Sequence, residues 1–189
     1  MTMDQGPVGR IIFLNGTSSS GKSSLAAALL RVLEPLHFHL AVDAFNAMSG
    51  SKELPPDELE LALRRMRGGF HRAIAGMAAA GNHLVVDHVL SEPWRLRDCL
   101  EVLAPYEVVL VGVRCPLPEL ERRELARGDR PAGLAAAQYE RVHAHGVYDF
   151  EVDTGAYGVE ECAAQIVAHL ATGAAPTAFR TLRAALATG

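Results

Sequence analysis

The sequence predicts an α/β fold in which a parallel sheet of five strands carries helices on both faces. Three observations predict it: five short runs that are apolar throughout, helix-patterned segments between them, and one glycine-punctuated octapeptide between the first run and the first helix. A strand covered on both faces has no polar side to alternate with, so uniformly apolar runs imply cover above and below. Strand alternating with helix implies parallel neighbours joined by crossovers. The 189 residues, 49% of them hydrophobic, suffice for one core without support from metal or disulfide.

The first strand is Ile11-Ile12-Phe13-Leu14-Asn15, and an Ala/Leu-rich helix is predicted over 22–33. A strand over 38–42 leads into the stretch 44–70, where Phe45, Met48, Leu54 and Phe70 stand amid Gly50, Pro55 and Pro56. These are packing residues by default; any that lined a pocket would give its ligand an apolar or aryl portion. A long helix over 57–80 is stopped by Gly81-Asn82. Then come a strand over 83–89, a helix over 93–103, a strand over 107–114 and a helix over 118–127. Pro93 and Pro118 occupy first-turn positions, where a missing N–H costs no hydrogen bond. A helix over 132–144, a strand over 148–152 and a helix over 159–171 complete the pattern, and residues 1–171 read as one domain. Residues 172–189, rich in Ala, Thr and Gly and bearing Arg180 and Arg183, read as a C-terminal extension, either a short amphipathic helix or a frayed tail.

Eighteen Lys and Arg against 22 Asp and Glu leave a net charge of −4. Such a chain has no summed positive field to gather nucleic acid or anionic lipid, so an anionic ligand must be held by a local device. No run approaches the ~20 apolar residues of a membrane span, and residues 1–7 lack the basic and apolar regions of a secretory signal. The expectation is a cytoplasmic protein with neither a nucleic-acid nor a membrane partner. Cys99, Cys115 and Cys162 are odd in number and widely spaced, as reduced core-filling thiols would be. The eight histidines show no metal-ligand spacing; His88 stands out only by following Asp87 at a strand end.

The local device is Gly16-Thr17-Ser18-Ser19-Ser20-Gly21-Lys22-Ser23, which matches G-x-x-x-x-G-K-[ST] and is followed by Ser24. Its place between an apolar strand and a helix is the setting a phosphate-binding P-loop requires. Gly16 and Gly21 let the backbone curl so that successive N–H groups face phosphate oxygens, and the helix beginning near Lys22 adds its positive end. Lys22 would meet the β- and γ-phosphates, and Ser23 would ligate Mg²⁺. Ligands of an open parallel sheet lie beyond the carboxyl ends of the strands. Asp87 ends an apolar strand as a metal-orienting carboxylate does. Asp43 ends another on the side expected for the phosphate acceptor, where it is read as a general base; capping a following short helix is its other available role. After the fourth strand, Arg123, Arg127 and Arg130 recur at helical spacing. Arg127 and Arg130 flank Gly128-Asp129 and are read as a lid that closes guanidinium groups over transferring charge, while Arg122 and Arg123 read as members of a solvated helix face.

With these residues in view, the chain resembles the chloramphenicol phosphotransferase family over about 11–170. The resemblance rests on 12–23, on Val111-Gly112-Val113-Arg114-Cys115, on Ala126-Arg127-Gly128-Asp129-Arg130 and on the run 148–154. It implies ATP-dependent phosphorylation of a hydroxyl on a small molecule, with an antibiotic such as chloramphenicol as the family's acceptor, Asp43 as general base and Arg127 and Arg130 as lid arginines. The family pattern is departed from at His88 and over 46–57, so the resemblance bears on the reaction rather than on the acceptor. The expected cofactors are ATP and Mg²⁺, the expected partner is a hydroxyl-bearing small molecule, and a homo-oligomer is left open. Two alternatives remain. One is a metabolic kinase of a sugar acid, a shikimate-like acid or a nucleoside; an acidic acceptor would need an arginine clamp, for which Arg64, Arg65 and Arg67 are candidates. The other is a nucleotide-binding regulator, against whose GTPase form stands the lack of an Asn-Lys-x-Asp motif.

Overall fold

The computed structural model describes residues 8–50, 53–128 and 133–187. Five strands, β1 (Ile11–Asn15), β2 (His37–Ala41), β3 (His83–His88), β4 (Val108–Arg114) and β5 (Phe150–Asp153), form one parallel sheet in the order β2-β3-β1-β4-β5. The chain leaves β1 for the edge strand β2, returns to β3, and then crosses over β1 to β4. β1 is therefore central, with Ile11 opposite Leu84 on one side and Val108 on the other.

The helices are α1 (Lys22–Val32), α2 (Val42–Ala47), α3 (Pro56–Ala79), α4 (Pro93–Val102), α5 (Leu117–Arg127), α6 (Leu134–Val142), α7 (Val159–Ala171) and α8 (Ala178–Ala187). Successive residues of a strand point to opposite faces. On one face Ile11, Phe13, Leu84, Val86 and Leu110 pack against Phe70 and Ile74 of α3, Leu100 of α4, and Phe179 and Leu182 of α8. On the other, Ile12, Leu14, Val85, Val109 and Val111 pack against Leu25 and Leu29 of α1 and Ile166 of α7. Every residue of β1 is buried, which is why its sequence shows no alternation.

Two places refine the boundaries read from sequence. The second strand ends at Ala41, and Val42 already belongs to α2. Within the Ala/Thr/Gly-rich extension, residues 178–187 form α8. The Asp149 carboxylate holds its start, accepting from the N–H groups of Thr177 (2.6 Å) and Ala178 (2.9 Å) through Oδ1 and from that of Leu110 (2.9 Å) through Oδ2. Among the described residues, no helix is long and apolar enough to cross a membrane.

Candidate active site

The P-loop joins β1 to α1 at the carboxyl edge of the central strand. Its curl depends on two glycines for different reasons. A Cβ at Gly16 would lie 2.6 Å from the Val113 carbonyl oxygen and 2.7 Å from Ser20 Oγ, so nothing larger than hydrogen fits. Gly21 has φ 85°, in the left-handed region that side chains disfavour. Between them Ser19 is also left-handed, at φ 63°, which helps to turn the loop's N–H groups inward. The hydroxyls of Ser19 and Ser20 are buried and unpaired within the loop. Lys22, 6% exposed, reaches back to the Thr17 carbonyl (2.7 Å).

Ser23 Oγ donates to Asp87 Oδ2 at 2.6 Å, and Lys22 Nζ stands 3.9 Å from Asp87 Oδ1. Asp87 is buried at the end of β3, beside β1, and its register partner there is Leu14. A serine oxygen that keeps its lone pairs and a carboxylate form a hard oxygen pair of the kind Mg²⁺ takes. The donor set therefore fits that ion.

Thr154, just past β5, braces the loop from below: its hydroxyl donates to the Ser20 carbonyl (2.8 Å) while Arg123 of α5 donates to the Thr154 carbonyl (2.7 Å) and meets Thr154 Oγ1 (3.2 Å). Sequence reading had placed Arg123 on a solvated face; only Arg122, paired to Glu119 in the open, has that character. Glu124, 4% exposed, accepts from the N–H groups of Gly133 (2.8 Å) and Ala135 (2.9 Å) and so ties α5 to the start of α6. From α6, Gln138 Oε1 accepts the Ser18 N–H (2.8 Å). Asn15, fully buried, binds the Val142 carbonyl (2.9 Å), Tyr148 Oη (2.8 Å) and the Leu90 N–H (2.9 Å), pinning α6 and the segment after β3 to the end of β1.

Asp43 lies in the first turn of α2, where the N-cap position belongs to Ala41 and no side-chain cap bond is made. Its Oδ1 accepts from Asn46 Nδ2 (3.2 Å). Asp43 lines the hollow at the P-loop, together with Ser19, Lys22, Ser23, Asp87 and Arg127. It also lines a neighbouring cavity of about 360 Å³. Val42 and Val89 share this position between the two spaces. Arg127 is the last residue of α5, followed by Gly128 at φ 65°. Arg130, its expected companion, lies outside the described residues.

The second cavity is walled by polar groups drawn from several elements: Asn46, Arg67 of α3, His88 of β3, Arg95 of α4, and Gln138 and Arg141 of α6. None of the apolar residues weighed as an aryl-binding set lines it. Phe45 instead packs edge-on to fully buried Phe70, with ring centroids 4.9 Å apart, and Met48 is 73% exposed. Arg64 and Arg65 belong to a different surface cleft beside Trp94, so of the three arginines considered for an acidic acceptor only Arg67 faces this space.

Behind the cavity His88 Nε2 lies 3.0 Å from His71 Nε2, and His71 Nδ1 lies 2.5 Å from Asp98 Oδ2. Burial holds both imidazoles below their ordinary value, His88 by far the more. Cys99 Sγ is within 4.8 Å of both rings, but burial pushes its thiol well above the usual range and keeps it protonated. Nothing in the spacing of Asp98, His71 and His88 announced this chain of contacts, because one residue comes from each of three elements.

A parallel sheet with a P-loop on its central strand, a serine–aspartate pair beside it and a polar cavity adjoining it defines an ATP-dependent P-loop kinase. Comparison with known proteins agrees and narrows the class. Residues 9–171 match the chloramphenicol phosphotransferase-like protein family, and the chain belongs to that family. A Mycobacterium tuberculosis protein provisionally named an O-phosphotransferase is 32% identical over 207 residues, covering 94% of this chain and 89% of its own length. Among solved structures, the shikimate kinase of Acinetobacter baumannii in complex with shikimate has a TM-score of 0.66 at 15% identity, covering 89% of this chain and 96% of its own. The Mycobacterium tuberculosis APS kinase in complex with AMPPNP and APS has a TM-score of 0.62 at 22% identity, covering 87% and 99%. These two likenesses concern the fold.

Proposed function

We propose that this kinase transfers the γ-phosphoryl group of ATP to a hydroxyl of a small molecule held in the 360 Å³ cavity. The observation that carries the reading is the position of Asp43, which lines both the P-loop hollow and that cavity. A hydroxyl placed beside it attacks the γ-phosphorus, the bond from phosphorus to the β–γ bridging oxygen breaks, the hydroxyl proton passes to Asp43, and ADP leaves. The P-loop N–H groups and Lys22 hold the phosphates in line, and Arg127 adds a guanidinium at the rim of the hollow. Ser23 and Asp87 are the residues that would hold Mg²⁺, which would offset the charge of the phosphate oxygens during transfer.

The test is ADP release measured with and without a panel of hydroxylated compounds, with the mass of each compound read afterwards. The family's name puts chloramphenicol on that panel, and resistance in cells expressing the chain would accompany its phosphorylation. Release that depends on an acceptor, together with a gain of one phosphate by that acceptor, is the expected result. Asp43→Asn should lower kcat by about 10²–10⁴ while keeping ATP affinity. Near-normal turnover in that variant would remove the base assignment, and acceptor-independent hydrolysis would favour a nucleotide-driven regulator.

A further inference from the structure

The wall of the acceptor cavity carries three arginines, Arg67, Arg95 and Arg141, against two carboxylates, Asp43 and Glu92. The two carboxylates offset this group only in part. Glu92 is engaged by Arg95 and by Trp94 Nε1 (2.7 Å), and Asp43 also lines the P-loop hollow. Arg95 is 8% exposed, and its guanidinium is clamped by the Val89 carbonyl and Ser91 Oγ, each at 3.1 Å. Its Nε is buried without a hydrogen-bond partner. Arg67 and Arg141 make no ion pair with a described carboxylate. Burial and then the fields of Arg67 and Arg141, partly offset by Glu92, hold the Arg95 guanidinium below its ordinary value. Burial pushes the Glu92 carboxyl up, but the Trp94 hydrogen bond and these same three arginines bring it below its ordinary value.

In a chain of net charge −4, three guanidinium groups lining one small cavity repel one another, and since Glu92 is taken up by Arg95 a further anion would join Arg67 and Arg141. We infer that the acceptor is an acid, a hydroxylated molecule whose carboxylate or phosphate group is held by Arg67 and Arg141 over the fixed Arg95 while its hydroxyl lies at Asp43. The planar fork of arginine suits either anionic group, since both offer paired oxygens. The inference rests on the reading of this cavity as the acceptor site. It sets the chain apart from a kinase of a neutral acceptor, for which a cavity wall carrying three arginines against two carboxylates would have no anion to hold.

The experiment uses the full chain saturated with AMPPNP and Mg²⁺, so that the P-loop is occupied and cannot itself bind the probe. Calorimetry then compares acids with neutral counterparts: quinate with its methyl ester and gluconate with gluconamide for carboxylates, glycerol 3-phosphate with glycerol for phosphates, and chloramphenicol as a neutral compound. At least one acid should bind about ten-fold or more tightly than its neutral counterpart, and the better of the two series identifies the anionic group. Arg67→Gln and Arg141→Gln should each remove about ten-fold of the acid's affinity, leaving its neutral counterpart and AMPPNP unaffected. The inference is overturned if no acid binds, if neutral compounds bind as well as acids, or if the two variants lose AMPPNP affinity instead. Turnover with ATP separates it from the parent reading. Selective acid binding with no phosphate transferred to any compound would leave the anion site standing and remove the kinase reading of the cavity. Transfer to neutral compounds without preference for acids would do the reverse.

Discussion

Asp98 decides, through two rings, which nitrogen His88 presents. A carboxylate only accepts, so His71 carries its proton on Nδ1, where it meets Asp98 Oδ2 at 2.5 Å. His71 Nε2 is then a lone pair, and His88 Nε2, 3.0 Å away, must donate to it. That leaves Nδ1 of His88, buried and without a partner, as an acceptor on a ring that forms part of the cavity wall. Nitrogen-15 NMR of labelled protein should report an Nδ1–H tautomer for His71 and an Nε2–H tautomer for His88. Asp98→Ala should abolish this bias and cost about 1–3 kcal/mol in denaturant unfolding, because His71 Nδ1–H is left buried and unpaired. Losing the exposed partner Arg72 adds little to that cost. A His88 ring protonated on Nδ1, or a variant as stable as the parent, would sink the relay.

At the scale of elements, α8 shows how a segment can be held by burial and by one side chain from elsewhere. Its sequence holds four alanines and little to fix a helix by itself, and an isolated helix of ten residues is marginal in water. What fastens it is the burial of Ala178, Phe179 and Leu182 against the sheet, with Asp149 bonding the N–H groups at its start. Asp149→Ala should therefore cost about 1–3 kcal/mol and raise hydrogen exchange across α8 and at the Leu110 amide, while amides of α1 on the opposite face stay protected. Equal loss of protection on both faces would show that α8 is not a separable unit. The same contrast explains what the sequence disclosed. The strands were legible because cover on both faces leaves a contiguous apolar record, and the P-loop because its device is backbone curvature, set by glycines five residues apart. The acceptor cavity was not, because Asp43, Arg67, Arg95 and Arg141 come from four separate helices and become neighbours only when the sheet orders those helices. Arg95 in particular reads as an ordinary helix-face arginine until the loop after β3 folds its carbonyl against it.

For the whole molecule, the way charge is confined has a consequence for stability. Histidines His37, His71, His143 and His145 are all held below the ordinary imidazole value of 6.5, in each case with burial as the first cause. Burial, then the fields of Arg114, His145 and Lys22, hold His143 down to about 3. His143 accepts or donates at Tyr148 Oη (2.6 Å), which also bonds Asn15, so the ring belongs to the joint between α6 and the end of β1. Above pH 6.5 these rings are neutral in both folded and unfolded chains and impose no pH dependence. As pH falls below 6.5 the unfolded chain takes up protons that the folded chain refuses, so stability must fall with it, and for His143 the loss continues down to about 3. Each pH unit is worth about 1.4 kcal/mol for a fully shielded group. His143 is only partly buried, and with solvent screening about 1 kcal/mol between pH 6.5 and 5 is the expected share of that ring. Urea unfolding at a series of pH values should show a decline that begins near 6.5, and His143→Gln, which can still bond Tyr148, should make that decline shallower without altering stability at pH 8 by a comparable amount. A profile that is flat between pH 7 and 5, or one unchanged by the substitution, would mean that protonation of this joint is tolerated by the fold.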